Sequence, residues 1–134
     1  ARETSSEWGV DLSIRKEFVV LILSLRDFGV NLDAVSERYP GRQVVYIGRA
    51  NSHYGLSQSA LANPFRRVNG VPGSSLPEFR RWLWQIIQHR ENGVFRALNS
   101  LELDAVLVCW CKNPEHCHGS VIAKAVKYLK GVAK

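Results

Sequence analysis

Two short runs of β-branched and aromatic residues, far apart in the chain, constrain the fold more than any other feature. Residues 43–48 read QVVYIG and residues 104–110 read DAVLVCW, and turn-forming residues flank the first run. Such runs are typical of buried strands. A long intervening segment with helical patterning separates them, and a connection of this kind joins parallel strands. The two runs therefore predict neighbouring parallel strands.

The segment between the two strands contains a strong helix signal. Ser75 and Glu78 match a capping box, Pro77 lies in the first turn, and apolar residues follow along one face. Asn92-Gly93 is expected to end this helix.

Three further helices are expected, over residues 31–39, 94–101 and about 118–129. Alternating strands and helices predict a small single-domain, Rossmann-like α/β fold, with parallel strands flanked by helices. Ligands of open α/β sheets bind beyond the carboxyl ends of the strands. Gly48-Arg49 and the segment beginning at Cys109 should therefore lie side by side.

The first 42 residues differ from the rest of the chain. From Asp11 to Phe28 the apolar positions form a helical stripe that Gly29 ends, which predicts a helix. A buried strand within Phe18–Leu23 is the alternative, since short apolar runs are ambiguous. We expect residues 1–42 to be an N-terminal helical extension packed on an α/β domain of residues 43–134.

Charge also divides the chain at this boundary. Residues 1–42 contain 6 basic and 7 acidic residues, whereas residues 43–134 contain 12 basic and 5 acidic residues. The positive excess suggests an anionic partner, either a small molecule or a nucleic acid. A basic surface that serves only solubility is an equally weighted alternative.

All three cysteines lie within residues 109–117. A disulfide framework would spread them along the chain, so this clustering favours free thiols or a metal in a reducing compartment. No signal peptide is evident, and the longest apolar run is too short for a membrane span. The sequence therefore predicts a cytoplasmic protein that does not engage a membrane.

The cysteine segment, CWCKNPEHCHG, is the chemically richest part of the chain. In an extended strand Cys109 and Cys111 point to the same face, away from Trp110. Cys117 and His118 should fall at the start of the last helix, where the backbone N–H groups and the helix dipole lower the pKa of a thiol. Gly119 would let a ligand approach closely. Cys111, Cys117 and His118 are therefore the candidate catalytic residues, with structural thiols as the alternative reading.

Zinc is the alternative use of the same residues. Cys109, Cys111, Cys117 and His118 supply three thiols and an imidazole, the ligands of a structural zinc site. The C-x-C spacing is uncommon for zinc, and adjacent Cys and His residues do not easily bind one tetrahedral ion. We therefore predict no cofactor, with zinc kept as the alternative.

Two motifs outside this segment complete the candidate site. Arg49 follows a strand and a glycine, where its planar guanidinium can bind an anion. Asn63-Pro64-Phe65 offers an amide and an aromatic ring within a long loop, and an ordinary Asn-Pro turn with a core Phe is equally plausible.

Four motifs in order resemble one family, a bacterial and phage domain of unknown function catalogued under number 4326. The resemblance rests on VVYIGR (44–49), NPF (63–65), EFRRWL (78–83) and LVCWC with CHG (107–119), and it covers about residues 43–126. The Cys-His block has a shorter likeness to the family of unknown function number 488. Besides the candidate catalytic residues, the resemblance points to Tyr46, Gly48, Arg49, Asn63, Pro64, Phe65, Cys109 and Gly119.

These features lead to two functional hypotheses. The first is an enzyme or binding protein for a nucleotide-like or phosphorylated ligand, with a possible thiol-dependent reaction, in which Tyr46, Gly48, Arg49, Asn63, Phe65, Cys109 and Gly119 contact the ligand. The alternative is a non-catalytic nucleic-acid-binding module, zinc-stabilised in one version, within a bacterial or phage regulatory complex. Its support is a set of basic residues near Trp82 and Trp84, including Lys124, Lys127 and Lys130. A protein partner that docks through residues 1–42 is a further expectation.

Overall fold

The computed structural model describes residues 20–111, 113 and 116–131. In this part of the chain, strands β1 (Leu21–Ser24), β2 (Val44–Tyr46) and β3 (Val106–Cys109) form one parallel sheet. β3 is central and pairs with both of the others, so that Val106 lies opposite Leu21 and Val44. The predicted parallel pairing of the two apolar runs is confirmed.

The described helices are α1 (Leu32–Arg38), α2 (Leu76–Gln88), α3 (Gly93–Asn99) and α4 (Gly119–Leu129). They match the predicted helices closely, and with the sheet they confirm a small α/β domain. The described helices are all too short, or insufficiently apolar, to cross a membrane.

The central strand β3 separates two hydrophobic cores. Leu107 and Cys109 face a core covered by α2, α3 and α4, whereas Val106 and Val108 face a smaller core covered by α1. The alternation follows from the period of two in a strand. All four side chains are buried, as expected for the middle strand of a parallel sheet. The cysteine end of β3 therefore faces the larger core.

The helix predicted from Asp11 to Phe28 is wrong for the residues that form β1. Leu21–Ser24 is extended, and a short 3₁₀ helix, Leu25–Phe28, follows it and ends at Gly29 with φ of 64°. Backbone pairing with β3 satisfies the peptide groups on one side of this segment, and this long-range contact outweighs a local helical stripe. The alternative, a strand within Phe18–Leu23, was nearer to the structure. Residues 11–19 of the predicted helix lie outside the described residues.

The first strand also bears on the predicted extension. Because β1 pairs with β3, residues 21–24 belong to the same sheet as β2. Leu25 and Val35 are fully buried in the smaller core. An added layer formed by the remaining N-terminal residues, 1–19, stays a prediction.

The predicted capping box at the start of α2 is wrong, although the helix begins where expected. The Ser75 side chain makes no capping hydrogen bond. Its Oγ lies 2.9 Å from Asn63 Nδ2 instead. The Ser75 hydroxyl therefore accepts a tertiary hydrogen bond from Asn63 and does not cap the helix.

Candidate functional site

A cleft of about 410 Å³ opens at the carboxyl ends of β2 and β3. Gly48 and Arg49 follow β2 there, and Trp110 and Cys111 follow β3. The cleft brings together most of the residues that the sequence singled out. Those lining it are Gly48, Arg49, Asn63, Phe65, Cys109, Cys111 and His118.

Three sulfur atoms meet at the base of this cleft. The Sγ atoms of Cys109, Cys111 and Cys117 all lie within 4.8 Å of one another, and we call these three residues the sulfur cluster. The Sγ atoms of Cys109 and Cys117 are 2.9 Å apart. Cys109 and Cys111 contact the larger core while Trp110 contacts the smaller one, as strand alternation predicted.

The three thiols differ in their accessibility. Cys117 is fully buried and Cys109 is 2 % exposed, whereas Cys111 is half-buried and lines the cleft. The Gly119 backbone N–H donates to Cys117 Sγ over 3.4 Å. Of the two candidate catalytic thiols, Cys111 is therefore the one that faces the cleft.

Hydrogen bonding within the sulfur cluster concentrates negative charge on Cys111. Thiol hydrogen bonds from Cys109 and Cys117, and the nearby His118 and Arg67, lower the pKa of Cys111 to about 3. Its partners shift in the opposite direction. The hydrogen bond with Cys111 raises the pKa of Cys109 to about 11, and hydrogen bonds with Cys109 and Cys111 raise the pKa of Cys117.

His118 lies beside the sulfur cluster in a fixed orientation. Its Nε2 is 2.7 Å from the carbonyl oxygen of Ile47, which only accepts hydrogen bonds, so Nε2 carries the proton. Burial lowers the pKa of His118, which favours the neutral ring. Its Nδ1 is then the acceptor in the hydrogen bond with the Cys117 thiol, whose Sγ lies 3.9 Å away. The Phe79 ring packs edge-on against the imidazole, with ring centroids 5.3 Å apart.

Glycines allow the close packing around the two strand ends. A Cβ on Gly48 would clash with the Tyr46 hydroxyl. That hydroxyl accepts from Trp110 Nε1 over 2.7 Å and donates to the Arg49 carbonyl over 2.6 Å. A Cβ on Gly119 would meet Ile22 and Ile47 side-chain atoms at 3.1 Å. Tyr46, Gly48 and Gly119 thus set the backbone path around the cleft.

Arg49 anchors the loop of residues 63–67, which we call the arginine loop. Its Nε and Nη2 donate to the Asn63 carbonyl over 3.1 and 2.9 Å, and Nη2 also donates to the Phe65 carbonyl over 3.0 Å. Most of the guanidinium fork expected to bind an anion is therefore bonded to the protein. Its charge still faces the cleft.

Asn63 fixes the same loop from the inside. Its Oδ1 accepts from the Phe65 backbone N–H over 2.9 Å, and its Nδ2 donates to Ser75 Oγ over 2.9 Å. The Phe65 ring contacts Trp82 edge-on, with centroids 6.2 Å apart. The Asn-Pro-Phe motif is thus an ordered turn that presents Arg66 and Arg67 to the cleft.

Sequence reasoning left six residues of the cleft out of the site: Arg66, Arg67, Gly73, Ser75, Trp110 and His116. Arg66 and Arg67 follow the Asn-Pro-Phe motif directly, and that position was the available signal. Trp110 was assigned to the opposite face, but it also borders the cleft. Ser75 was assigned to a helix cap.

The sulfur cluster also favours the zinc alternative more than the sequence spacing did. Three of its four proposed ligands converge, despite the unusual C-x-C spacing. His118 Nδ1 approaches Cys117 but does not lie within 4.8 Å of all three sulfurs. Soft thiolate ligands at these separations suit zinc or a related metal ion.

One family matches most of the chain. The family described as "Domain of unknown function (DUF4326)" matches residues 30–128, a span that includes α1 and both strand ends of the cleft. This confirms the family resemblance and extends it upstream of residue 43. Neither a curated protein nor a solved structure matches significantly. The chain therefore belongs to the DUF4326 family, with its Gly-Arg, Asn-Pro-Phe and Cys-His-Gly motifs gathered around one cleft.

Proposed function

We propose that the cleft binds a phosphorylated, nucleotide-like anion, so that the protein is an enzyme or binding protein for such a ligand. One observation supports this most directly. The described lining residues include three arginines, Arg49, Arg66 and Arg67, and two histidines, but no Asp or Glu. Clefts lined by one sign of charge attract ligands of the opposite sign.

The arginines differ in their availability to a ligand. Arg49 donates to the arginine loop, whereas Arg66 and Arg67 are exposed and make no ion pair with a carboxylate among the described residues. Guanidinium groups bind phosphate oxygens with paired hydrogen bonds. Arg66 and Arg67 are therefore the proposed phosphate-binding residues, and Arg49 is the residue that positions them.

The rest of the cleft suits the less polar part of a nucleotide. Its volume of about 410 Å³ falls in the ordinary range for small-molecule sites. Phe65 and Trp110 supply aromatic surface for a planar base. Its place at the carboxyl ends of parallel strands is the usual one for nucleotides in open α/β folds. Catalytic roles for Cys111, Cys117 and His118 stay a prediction.

A titration series tests this proposal. ATP, ADP, AMP, adenosine and inorganic phosphate would each be added to the purified protein, with binding followed by calorimetry. We expect the phosphorylated nucleotides to bind and adenosine to bind much more weakly. No measurable binding of any phosphorylated compound would contradict the proposal.

A pair of double variants locates the binding site. Arg66→Gln with Arg67→Gln should weaken nucleotide binding about tenfold or more, since a hydrogen bond to a charged group contributes roughly 1.5–3 kcal/mol. Arg80→Gln with Arg81→Gln removes the same charge from exposed positions of α2 that do not line the cleft. Equal losses in both variants would indicate non-specific electrostatic attraction.

A different surface favours the second candidate, a nucleic-acid-binding module. Trp84 and Tyr128 are 49 % and 47 % exposed and pack edge-on, with ring centroids 5.3 Å apart. They border a groove of about 210 Å³ with Arg80 and Lys124. Exposed aromatics beside cations are typical of single-stranded nucleic-acid binding.

Oligonucleotide binding at two salt concentrations tests this candidate. Binding should fall steeply with salt, and Trp84→Ala should weaken it about tenfold, since stacking contributes roughly 1–3 kcal/mol per base. Trp110→Phe is a control at the cleft. Unchanged affinity in Trp84→Ala would exclude this groove as the nucleic-acid site.

A further inference from the structure

The sulfur cluster brings together thiols from two separate segments of the chain. Cys109 and Cys111 come from the end of β3, and Cys117 comes from the segment before α4. The fold nevertheless places their three sulfurs within 4.8 Å of one another. Sulfurs bound about 2.3 Å from one tetrahedral ion lie about 3.8 Å apart. Small shifts of the side chains would bring the cluster to this arrangement.

We propose that Cys109, Cys111 and Cys117 bind one Zn²⁺, with a fourth coordination position that opens into the cleft. Three cysteine sulfurs occur among known zinc ligand sets, and zinc sites with three protein ligands leave one position for water or a substrate. Cys109 and Cys111 line the cleft, whereas Cys117 lies behind them in the core. An ion among the three sulfurs would therefore be approached from the cleft side.

The groups around the cluster suit coordinated thiolates. The Gly119 N–H donates to Cys117 Sγ, and such backbone bonds stabilise a coordinating sulfur. Three thiolates with Zn²⁺ carry one net negative charge, and Arg67 lies near enough to interact electrostatically with Cys111. The site thus has a compensating cation from the arginine loop.

His118 acts in this site as a positioning residue. Its Nε2–H donates to the Ile47 carbonyl, which fixes the ring next to Cys117. Its Nδ1 lies outside the group of three mutually close sulfurs, so it does not complete the coordination shell. The zinc site does not depend on which ligand the cleft binds.

Metal analysis of the whole chain, purified without chelators, is the first test. We expect one zinc per chain by elemental mass spectrometry. Replacement by Co²⁺ should give visible d–d bands of tetrahedral intensity and a thiolate-to-cobalt charge-transfer band. A protein with three reduced thiols that contains no metal and takes up neither Zn²⁺ nor Co²⁺ would overturn the proposal. So would a Cys109–Cys117 disulfide with Cys111 alone open to alkylation.

Variants then identify the ligands. Cys111→Ser changes the half-buried ligand and should weaken zinc binding by about 100-fold or more, beyond the roughly 10–100-fold cost of losing an outer-shell partner. His116→Gln alters a nearby exposed histidine of the cleft and should keep one zinc. His118→Gln should also keep the metal, and cobalt bands that change to those of a different ligand set would make His118 a ligand. Full zinc affinity in Cys111→Ser would exclude the three-sulfur site.

The nucleotide titration on the same samples separates the two proposals. Nucleotide binding by a protein that takes up no zinc would overturn only the metal site. Zinc bound in full by a protein that binds no phosphorylated compound would contradict only the proposed function.

Discussion

The sulfur cluster and the arginine loop border the same cleft but are built in different ways. The cluster extends from the central strand and the start of α4, and two of its three residues are almost completely buried. The arginine loop has no regular secondary structure, and Arg66 and Arg67 at its end are exposed. Hydrogen bonds that Arg49 donates and one that Asn63 Oδ1 accepts hold the loop in place.

This difference separates stability from binding within one site. Residues beside the sulfur cluster contact the larger core, so changing them should mainly affect the free energy of unfolding. The exposed arginines contact solvent, so changing them should mainly affect ligand affinity. The anchors of the loop lie between these extremes. Four substitutions test this order.

Phe79→Ala should have the largest effect on stability. Phe79 is fully buried and supports the His118 ring beside the sulfur cluster. We expect a loss of about 3–5 kcal/mol in the free energy of unfolding, measured by urea denaturation. The control Trp84→Ala removes a half-exposed aromatic side chain from another face of the same helix, α2. Equal costs in both variants would contradict a core-supported cluster.

Asn63→Ala should have an intermediate effect. It removes both hydrogen bonds of the amide and leaves the buried Ser75 hydroxyl without this partner. We expect a loss of about 1–3 kcal/mol in stability, together with weaker nucleotide binding because Arg66 and Arg67 lose their positions. Asn99→Ala, at an exposed helix position, is the control. Full nucleotide affinity in Asn63→Ala would show that the turn does not position the arginines.

Tyr46→Phe should cost about 1 kcal/mol at neutral pH, since it removes the hydroxyl that joins Trp110 to the Arg49 carbonyl. A pH dependence should accompany this loss. Burial raises the pKa of Tyr46, so the folded protein holds this proton more tightly than the unfolded chain. That contribution is present below the unfolded pKa of about 10 and is lost as the pH rises through the folded pKa.

Urea denaturation at neutral pH and at several values between about pH 9 and pH 11 checks this prediction. Stability of the unsubstituted protein should decline more steeply across this range than stability of Tyr46→Phe. Tyr128→Phe, at an exposed position, should behave like the unsubstituted protein. Parallel declines for all three proteins would show that Tyr46 does not contribute.

Arg67→Gln should have the smallest effect on stability, within about 0.5 kcal/mol, because the side chain is exposed. The same change should weaken nucleotide binding, and thermal unfolding with and without ATP measures both effects. The ligand-induced rise in unfolding temperature should shrink while the unliganded value stays constant. A large loss of unliganded stability would show that Arg67 belongs to the structural part of the site.

Much of the fold could be predicted because most of its helices and strands have recognisable local sequence patterns. The apolar runs at 43–48 and 104–110 and the amphipathic stripe of α2 depend on the periodicity of neighbouring residues. Two misses had one cause. β1 and the Ser75 hydroxyl each found a distant partner, β3 and Asn63 respectively, that outweighed a local pattern. Periodicity and capping rules use only neighbouring residues, so they do not predict such distant partners.

The candidate site divides in the same way. The alternation of β3 was enough to place Cys109 and Cys111 on one face, and the parallel order of the strands was enough to bring Arg49 beside them. Sequence spacing gave no measure of how closely Cys117 approaches those thiols. It also did not show that the Arg49 guanidinium, which was expected to bind an anion, donates to the arginine loop.

Sequence motifs and local periodicity were enough to predict the family, the order of the helices and strands from α1 onward, and the residues at the carboxyl edge of the sheet. The tertiary structure alone decided three matters: the meeting of three sulfurs, the membership of β1 in the sheet, and the use of Asn63 and Arg49 as anchors. Each depends on contacts between segments far apart in the chain. Such contacts form only when the chain packs. Close packing then determines which distant residues contact each other, and local sequence patterns do not specify this.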